Sequence, residues 1–394
     1  MVKNERIRQV LAEVTAFRRA LHTHPELSYE EFQTACKVRD VLAGLPNLTL
    51  LKPLIGTDVV AVLNEGRSGP CLALRADMDA LPITEETDVP YRSAVPGVMH
   101  ACGHDGHTAI LLGTAMVLTR MADELPGRVV FVFQPGEEEG GGGGKLCATG
   151  ILEQLKVDAA VALHGWPIRP VGSIAVSHGP ATAANNEFEI TITGKSGHGA
   201  APQRCVDPIV IAAHLVTALQ TLVSRTVDPL QAAVVTIGQM VAGTASNVIP
   251  EQCHLKGTLR YMRDEVGEQL RRSLGHLVEH TAIAHGARSE MSIREGYPPL
   301  HNDPGLTELV EQAAGDLLGQ DHVYAGEPPS MGVEDFAFYA QRVPAVLVRL
   351  GLRPSDAETC PTLHNAKFDF NDDALPVGMR LFCELTRRFL ERNP

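Results

Sequence analysis

The chain of 394 residues is poor in aromatic side chains, which make up 5% of it, and it contains a single tryptophan. It also lacks an excess of positive charge, since 47 acidic residues against 34 basic ones give a formal net charge of -13 at pH 7. Nucleic acids and anionic membrane surfaces repel such a protein, so we expect neither as a partner. A hydrophobic content of 44% and a charged content of 21% are typical of an ordinary globular protein.

Long hydrophobic runs are missing as well. No uninterrupted stretch of about 18 apolar residues occurs, and the N-terminal sequence MVKNERIRQV lacks the apolar region of a signal peptide. We therefore expect no membrane segment and a cytoplasmic location. The eight cysteines form no CxxC pair and are too sparse for a disulfide scaffold. Most should be reduced thiols, with Cys102, which is flanked by histidines, as the exception.

Two common catalytic motifs are not present. A Walker A loop would need glycine at position 139 and a hydroxyl residue after Lys145, but the chain has Glu139 and Leu146. The segment GKSGH (194–198) is not a nucleophile elbow, since His198 occupies its last position. Neither phosphate binding nor a serine hydrolase is supported.

Short apolar runs without polar alternation indicate strands that are buried on both faces of a sheet. Helical patterns lie before, between and after these runs, which is typical of an α/β domain with a central, mostly parallel sheet flanked by helices. The predicted strands are 58–63, 71–75, 128–133, 158–163 and 345–350, and the predicted helices of this domain include 4–22, 105–121, 146–156, 304–319 and 374–391.

The pattern changes between about 185 and 297. Strand and helix signals there follow the order βαββαβ, which matches a ferredoxin-like unit. We predict that 185–297 is a separate domain, inserted into a discontinuous catalytic domain made of 1–184 and 298–394. A chain of 394 residues also favours two domains on length alone.

Polar clusters follow three of the predicted strands. Residues 75–79 follow the second strand, three glutamates at 137–139 follow the third, and His164 follows the fourth. In open α/β sheets the crevice beyond the carboxyl ends of the strands is the usual ligand site, so these clusters predict one site. The three glutamates, here called the glutamate triplet, precede five glycines that permit a tight turn.

The segment MHACGHDGHTA (99–109) contains the densest set of metal-ligand side chains. A thiolate and an imidazole two residues apart suit Zn²⁺, Mn²⁺, Co²⁺ or Ni²⁺ better than Mg²⁺ or Ca²⁺. We predict Cys102 and His104 as metal ligands, because Glu138 and His164 at the neighbouring strand ends offer further ligand atoms for the same ion. Neighbouring carboxylates offer a further ligand and a base that removes a proton from water.

Other polar residues near these ligands have simpler interpretations. Two interpretations of His100 and His107 stay open. Either they belong to a polar loop that enters the helix 105–121, with Asp105 as its N-cap and His107 facing solvent, or they contact the ligands from behind. In the segment HTHPELSYEE (22–31), Ser28 and Glu31 have the spacing of a capping box for a second helix. The two histidines of that segment are assigned to capping or packing.

Nine segments in order resemble the signatures of one metal-dependent family, the aminoacylase and carboxypeptidase-type amidohydrolases. The resemblance is to the branch containing hippurate hydrolase, the auxin-conjugate hydrolases and N-acetyl-diaminopimelate deacetylase, and it spans about residues 18 to 372. The segments are RADMDALP (75–82), MHACGHDGH (99–107), FQPGEE (133–138), LHGWP (163–167), GKSGHGAAP (194–202), ASNVIP (245–250), GTLR (257–260), VEDFAFY (333–339) and LHNAKFDFND (363–372).

The resemblance implies a catalytic domain with two divalent metal ions and an inserted lid domain. The implied reaction is hydrolysis of the amide bond of a small N-acyl amino acid to a carboxylic acid and a free amino acid. A dipeptidase or carboxypeptidase with the same site is the alternative. The implied ligands are Cys102, His104, Glu138, His164 and His364, and the implied general base is Glu137.

Further roles follow from the same resemblance. Asp79 matches an aspartate that orients the site behind a ligand. His198 resembles a lid histidine that stabilises the oxyanion, often in the neighbouring subunit, which implies a homodimer or homotetramer. Asn247 and Arg260 resemble lid residues that grip the carboxylate of the substrate, for which arginine offers a bidentate fork.

The glutamate triplet departs from the family pattern, because relatives carry two glutamates before the glycines. Anchoring the alignment on Gln134 and Pro135 gives Glu137 as base and Glu138 as ligand, whereas anchoring on the glycines gives Glu138 and Glu139. We prefer the first register, because the end of a strand fixes its N-terminal side while glycines absorb an insertion.

Overall fold

The protein, described here from a computed structural model over residues 4–392, consists of two compact units. Unit 1 contains the chain up to Ala181, His301–Pro328 and the chain from Asp335 onward, and unit 2 contains Thr182–Leu300 and Pro329–Glu334. Each unit has a hydrophobic core of its own. Residues 329–334 belong to the sequence range predicted for the catalytic domain, and the role of 185–297 as a lid stays a prediction.

Between residues 4 and 392 the chain forms ten α-helices and sixteen strands. The helices are α1 (Asn4–Thr23), α2 (Phe32–Ala43), α3 (His104–Leu118), α4 (Gly142–Ala148), α5 (Ile151–Gln154), α6 (Pro208–Thr221), α7 (Asp264–Ala284), α8 (Pro304–Leu318), α9 (Ala337–Ala340) and α10 (Leu375–Arg392). The strands are β1 (Leu48–Leu50), β2 (Val59–Leu63), β3 (Cys71–Asp77), β4 (Arg128–Gln134), β5 (Ala159–Pro170), β6 (Ile174–Val176), β7 (Pro180–Thr182), β8 (Ala184–Thr193), β9 (Gly197–His198), β10 (Ala233–Ala242), β11 (Val248–Ile249), β12 (Gln252–Tyr261), β13 (Arg288–Glu295), β14 (Leu300–His301), β15 (Val323–Ala325) and β16 (Ala345–Arg353).

Unit 1 is built on an eight-stranded sheet in the order β1-β2-β4-β3-β5-β16-β6-β15. The neighbours β4 and β3, β3 and β5, β5 and β16, and β6 and β15 run parallel, while the remaining pairs are antiparallel. Strands β2 and β3 are buried along their whole length, as uninterrupted apolar runs predict. The prediction of an α/β fold with a mostly parallel central sheet flanked by helices is confirmed.

Helix α3 is the centre of the helical layer, since all of its residues are buried and it packs against α1 and α10. It begins at His104, and its N-cap is Gly103 in the left-handed conformation. The prediction that Asp105 caps this helix is therefore wrong. The predicted helix 146–156 is divided into α4 and α5, because Gly150 between them adopts a φ of +75°.

Unit 2 contains a four-stranded antiparallel sheet in the order β10-β12-β8-β13, with α6 and α7 packed against it. The inward side chains of β8 alternate with more exposed ones, as expected when one face of a sheet is covered. Strand β10 lies at one edge of this sheet and β13 at the other. The chain order is strand, helix, strand, strand, helix, strand for β8, α6, β10, β12, α7 and β13.

The segment Pro208–Thr226 has the length and composition of a membrane span, and no other helix within residues 4–392 does. Ile211, Leu215 and Leu219 of this segment are buried in the core of unit 2. One such helix is weak evidence for a membrane, because core helices have the same properties. His214, Gln220 and Arg225 are among the polar residues that interrupt its apolar sequence, so it contains no continuous apolar run of that length.

The sheet of unit 1 brings the three polar clusters to one edge. Asp77 at the end of β3 pairs with Gln134 at the end of β4, directly before the glutamate triplet. On its other side β3 pairs with β5, where Arg75 lies opposite Ala162, close to His164 in the chain. Parallel pairing of three strands thus places residues from three distant segments next to one another.

Packing around α3 makes one glycine indispensable. A Cβ atom at Gly113 would lie 2.3 Å from the Sδ atom of Met379 and 2.8 Å from a methyl group of Val14. We expect Gly113→Ala to lower the free energy of unfolding by about 1–3 kcal/mol, because overpacking displaces helices on both sides. Urea denaturation measures this change. Gly275→Ala in α7 is the control, since its Cβ would make only an ordinary contact, 3.5 Å from Met291. A loss as large in the control would contradict this explanation.

Candidate metal centre

The loop before α3 positions the first two predicted ligands. Gly103 adopts a φ of +84°, which few residues other than glycine tolerate, and this turn joins Cys102 to His104 at the start of α3. Both side chains are buried. The Sγ atom of Cys102 lies 3.5 Å from Nε2 of His164, which comes from β5.

The structure brings all five predicted ligands together in unit 1. The ligand atoms of Cys102, His104 and His164 lie within 4.8 Å of one another, and so do those of Cys102, Glu138 and His364. Oε1 of Glu138 is 3.3 Å from Nε2 of His364 and 3.9 Å from Nε2 of His104. Cys102 and Glu138 therefore connect two adjoining groups of ligand atoms. We refer to these five residues as the ligand cluster.

His364 reaches the ligand cluster through an unusual backbone conformation. Its φ is +62°, in the left-handed region that side-chain-bearing residues seldom adopt. Its N–H group donates a hydrogen bond of 2.8 Å to the carbonyl of Ala101, next to Cys102. This bond holds the C-terminal ligand against the loop that carries the first one.

The members of the glutamate triplet differ in their surroundings. Glu137 is buried, and its Oε1 accepts a hydrogen bond of 3.4 Å from the N–H of Asp335. Glu137, Glu138 and His104 offer ligand atoms within 4.8 Å of one another, whereas Glu139 is exposed. This arrangement corresponds to the register anchored on Gln134.

Asp79 lies directly behind the ligand cluster. The Nδ1 atom of His104 is 2.9 Å from the carbonyl oxygen of Asp79 and 3.3 Å from its Oδ1. The other carboxylate oxygen of Asp79 accepts hydrogen bonds from the Ser28 hydroxyl and from the N–H of Glu138. Asp79 thereby orients the ring of one predicted ligand and the backbone of another. The prediction that Ser28 caps α2 is wrong, because its hydroxyl is engaged here.

His107 makes contacts behind the ligands, one of the two roles that the sequence left open for it, and its partner is Asp77, for which no individual role was predicted. Nδ1 of His107 is 2.6 Å from Oδ1 of Asp77, and Nε2 accepts a hydrogen bond of 2.7 Å from the N–H of Gly165. The pair therefore holds the backbone beside His164. The alternative that His107 faces solvent is wrong, since it is buried. The spacing of His104 and His107, one helical turn apart on one face, was the available signal.

The buried Arg75 joins the pair of His107 and Asp77 to Asp335, in the segment before α9. Arg75 donates to Asp77 and to Asp335, each at 2.6 Å, and to the side-chain oxygen of Gln134 at 3.0 Å. Asp335 also accepts the N–H of Gly143 at 2.7 Å, directly after the glutamate turn. Two carboxylates and one guanidinium thus connect the ends of β3 and β4 with the segment before α9.

A second ionic group surrounds the start of α3. Oδ2 of Asp105 is 2.7 Å from Nε of Arg18 and 2.8 Å from Nδ1 of His22, and Nε2 of His22 is 3.2 Å from Glu85. Burial by itself lowers the pKa of His22, but Asp105 and Glu85 outweigh burial and raise that pKa to about 9. Asp105 therefore anchors the ligand-bearing helix to α1. His24, the other histidine of this segment, is exposed.

The three remaining predicted residues lie in unit 2. His198 is exposed in β9, which pairs with Val248 and Ile249 of β11. Asn247, directly before β11, accepts the N–H of Gly199 on its backbone carbonyl. Arg260 in β12 donates a hydrogen bond of 2.6 Å to the carbonyl of Met331. Their contacts with substrate stay predictions.

The electrostatics of the ligand cluster fit a bound cation. Burial, followed by the carboxylates of Glu138 and Glu137, raises the pKa of the Cys102 thiol well above its usual range. A divalent ion would reverse this effect, because a coordinating thiol loses its proton. Burial and the neighbouring His107 hold the pKa of His164 well below its usual range, which keeps this imidazole neutral as a ligand must be.

The surroundings of His104 carry the same excess of negative charge. Burial lowers its pKa, but Asp77, Asp79 and Glu138 overcome burial and raise the pKa to about 10. The Nε2 atom of His104 is buried without a hydrogen-bond partner. A cation beside Nε2 would satisfy this atom and replace the proton. The set of one thiol, three imidazoles and one carboxylate therefore suits a borderline-soft divalent metal.

Comparison with known proteins identifies the family. The profile of peptidase family M20/M25/M40 matches residues 73–388. The chain belongs to this family. It is 39% identical over 374 residues to the N-acetylcysteine deacetylase of Bacillus subtilis, covering 95% of this chain and 96% of that protein. It is 37% identical over 381 residues to the IAA-amino acid hydrolase ILR1-like 4 of Arabidopsis thaliana, covering 96% and 86%.

A solved structure of the same family has the same fold. The Bacillus subtilis YXEP protein, described as a dinuclear metal binding peptidase from the M20 family, aligns with a TM-score of 0.85 at 36% identity. The alignment covers 98% of this chain and 99% of that one. The family resemblance drawn from nine segments is confirmed, and with it the prediction of an amide-bond hydrolase.

The raised pKa of His22 predicts a pH dependence of stability. Because its folded pKa of about 9 exceeds the ordinary histidine value of 6.5, its contribution is fully present below pH 6.5 and is lost as the pH rises through 9. We expect His22→Gln to remove on the order of 1–3 kcal/mol of this pH-dependent stability. Urea unfolding of the metal-free protein at several pH values between 6 and 10 measures it. His24→Gln is the control at the same helix end, and equal slopes in both variants would refute the assignment.

Proposed function

We propose that this protein hydrolyses the amide bond of N-acyl amino acids, with two divalent metal ions held by the ligand cluster. The observation that carries this proposal is the convergence of Cys102, His104, Glu138, His164 and His364 in one group, with the buried Glu137 beside it. Two ions bound there would polarise the scissile carbonyl and make water a stronger nucleophile at neutral pH. Zn²⁺, Mn²⁺, Co²⁺ and Ni²⁺ all suit the ligand set.

Glu137 is the proposed general base. It is buried beside Glu138 and His104, so a carboxylate oxygen is available where an attacking water would lie. Glu137 would remove a proton from this water as the nucleophile attacks the acyl carbonyl. The same carboxyl group would then deliver the proton to the nitrogen of the leaving amino acid, which makes the amine a better leaving group.

Residues of unit 2 are the proposed substrate contacts. His198, exposed on β9, would donate a hydrogen bond to the oxyanion that develops on the carbonyl oxygen. Asn247 and Arg260 would bind the carboxylate of the amino acid. Support for these roles is the match of their segments to the family motifs and the location of all three in one unit.

Names of relatives favour acylated amino acids over peptides with a free amine. One relative is an N-acetylcysteine deacetylase and another an IAA-amino acid hydrolase, both of which act on acylated amino acids by name. Turnover of N-acetyl and N-benzoyl amino acids by the Mn²⁺-, Co²⁺- or Zn²⁺-loaded protein tests the proposal. Preferential hydrolysis of dipeptides would instead support the dipeptidase alternative.

Substitution of the base separates catalysis from metal binding. We expect Glu137→Gln to lower kcat by about 10²–10⁴-fold, because the amide cannot accept the proton of water, while metal content stays unchanged. Hydrolysis of an N-acyl amino acid and elemental analysis of the same sample measure the two effects. Glu139→Gln is the matched control, since Glu139 is exposed on the same turn. Full activity of Glu137→Gln would reject the base assignment.

We further propose a homodimer formed by unit 2, in the cytoplasm. Strand β10 is hydrogen-bonded to β12 on one side, and no described strand pairs with its other side. Its exposed side chains include Val234, Met240 and Val241, which an unpartnered edge strand usually avoids. Edge-to-edge pairing of two copies would cover them around a twofold axis.

In residues 4–392 all eight cysteines are free thiols, which supports a reducing compartment.

The dimer proposal predicts that a charged substitution in β10 halves the mass of the particle in solution. We expect Val241→Lys to shift the protein from dimer to monomer in sedimentation experiments at micromolar concentration, because a buried lysine at the edge is costly. Ile283→Lys on α7 is the control, since Ile283 is an exposed apolar residue away from β10. A wild-type monomer, or a dimer that survives Val241→Lys, would contradict the interface.

A further inference from the structure

The segment 28–31, here called the strap, packs against the turn that carries the glutamate triplet. The ring of Tyr29 lies against the two glycines that flank the triplet: a Cβ atom would approach it to 2.6 Å from Gly136 and to 2.7 Å from Gly140. The Tyr29 hydroxyl donates a hydrogen bond of 2.9 Å to the carbonyl of Gly140. Nζ of Lys145 lies 3.7 Å from the centroid of the same ring, a cation–π contact. One side chain thus contacts the turn on both sides of the three glutamates.

Glu31 holds the first of these glycines. Its Oε1 accepts a hydrogen bond of 2.9 Å from the N–H of Gly136, and its Oε2 accepts one of 2.7 Å from the hydroxyl of Thr57. Glu31 is fully buried. A buried carboxylate is costly unless its oxygens are satisfied, so this residue has a fixed position to which the turn is tied.

The middle of the turn is held through Asp79. Its Oδ2 accepts the N–H of Glu138 at 2.9 Å and the hydroxyl of Ser28 at 2.7 Å. The turn is therefore bound at three alternating positions, 136, 138 and 140. A shift of the chain by one residue would break all three bonds and would drive a carbon atom into the Tyr29 ring.

The backbone of the strap is itself constrained. Tyr29 has a φ of +65°, a conformation that residues other than glycine seldom adopt and that recurs at functional sites. Glu31 is the N-cap residue of α2 by position, but its side chain does not cap the helix. The side chains of Ser28, Tyr29 and Glu31 all bond to the turn or to its support. The structure thus maintains an unfavourable backbone conformation next to the predicted base and ligand.

We propose that Tyr29 and Glu31 are positioning residues that select Glu137 and Glu138, rather than Glu138 and Glu139, as the base and ligand pair. Three adjacent carboxylates on a glycine-rich turn have two possible registers, and the strap permits only the one that leaves Glu139 in solvent. This inference rests on the proposed function of the ligand cluster and names the residues that determine its register.

Metal binding tests the inference without relying on activity. The probe is Mn²⁺ titrated calorimetrically into the metal-free full-length protein. We expect Glu138→Gln to weaken binding about 10–100-fold and Glu139→Gln to leave it unchanged. Tyr29→Ala and Glu31→Ala should each weaken binding about 10-fold, while Glu30→Ala, an exposed neighbour, should have no effect.

The decisive measurement is the combination of strap and triplet substitutions. In the Tyr29→Ala background the turn can shift, so Glu139→Gln should now weaken Mn²⁺ binding at least about threefold, although it is silent in the wild type. Tyr29→Phe retains the ring and loses only the bond to Gly140, and it should lower kcat several-fold without changing KM. Glu31→Gln can still accept the N–H of Gly136 and should recover most of the affinity lost in Glu31→Ala.

Two results would overturn the inference. One is wild-type Mn²⁺ affinity and kcat in Tyr29→Ala, Tyr29→Phe and Glu31→Ala; the other is a Glu139→Gln substitution that remains silent in every strap variant. If Tyr29→Ala does not fold, Glu139→Gln is combined with Tyr29→Phe and with Glu31→Ala. A wild-type protein that neither binds Mn²⁺ nor hydrolyses N-acyl amino acids would reject the proposed function itself, whereas wild-type activity with unaffected strap variants rejects only the role of the strap.

Discussion

Unit 1 depends on keeping many carboxylates close together at one edge of its sheet. Arg75 is the cation that makes this possible, because it lies between Asp77 and Asp335 and also bonds to Gln134. Burying these charges without the guanidinium would cost several kcal/mol. Even with it, negative charge remains in excess, since the carboxylates around His104 raise its pKa to about 10 against the effect of burial, and those around Cys102 add to burial in raising the pKa of the thiol. A divalent cation is the species that balances this remainder.

The same arrangement explains how distant segments form one site. The strand ends and the start of α3 each contribute a short polar sequence, and its side chains are held by neighbours: His107 by Asp77, His104 by Asp79, and Glu137 by the backbone of Asp335. These partners are fully buried, whereas Glu138 and His164 are half-buried and His364 is exposed. Precise orientation therefore comes from hydrogen bonds behind the ligands, as is usual in metal sites.

Much of the fold could be predicted from the sequence, because uninterrupted apolar runs and helical periodicity are local signals. The strands of two or three residues were not predicted, since so short a segment carries no period; they are β1, β6, β7, β9, β11, β14 and β15. The predicted capping residues were also wrong, because tertiary contacts determine where these side chains bond. Asp105 pairs with Arg18 instead of capping α3, and Ser28 bonds to Asp79 instead of capping α2. These polar residues have partners far away in sequence, which no local pattern contains.

The site was predictable to a different extent. Cys102 and His104 were predicted from the chemistry and spacing of their side chains, and a ligand among the glutamate triplet from its position after a strand. The choice of Glu138 within the triplet and the ligand His364 required the family motifs, because a single histidine in a loop has no pattern of its own. Its location has a consequence for biosynthesis. The cluster draws its first member from residue 102 and its last from residue 364, with the whole of unit 2 between them in the chain. A nascent chain emerging from the ribosome therefore cannot complete the five-residue cluster until the whole of unit 2 has been made.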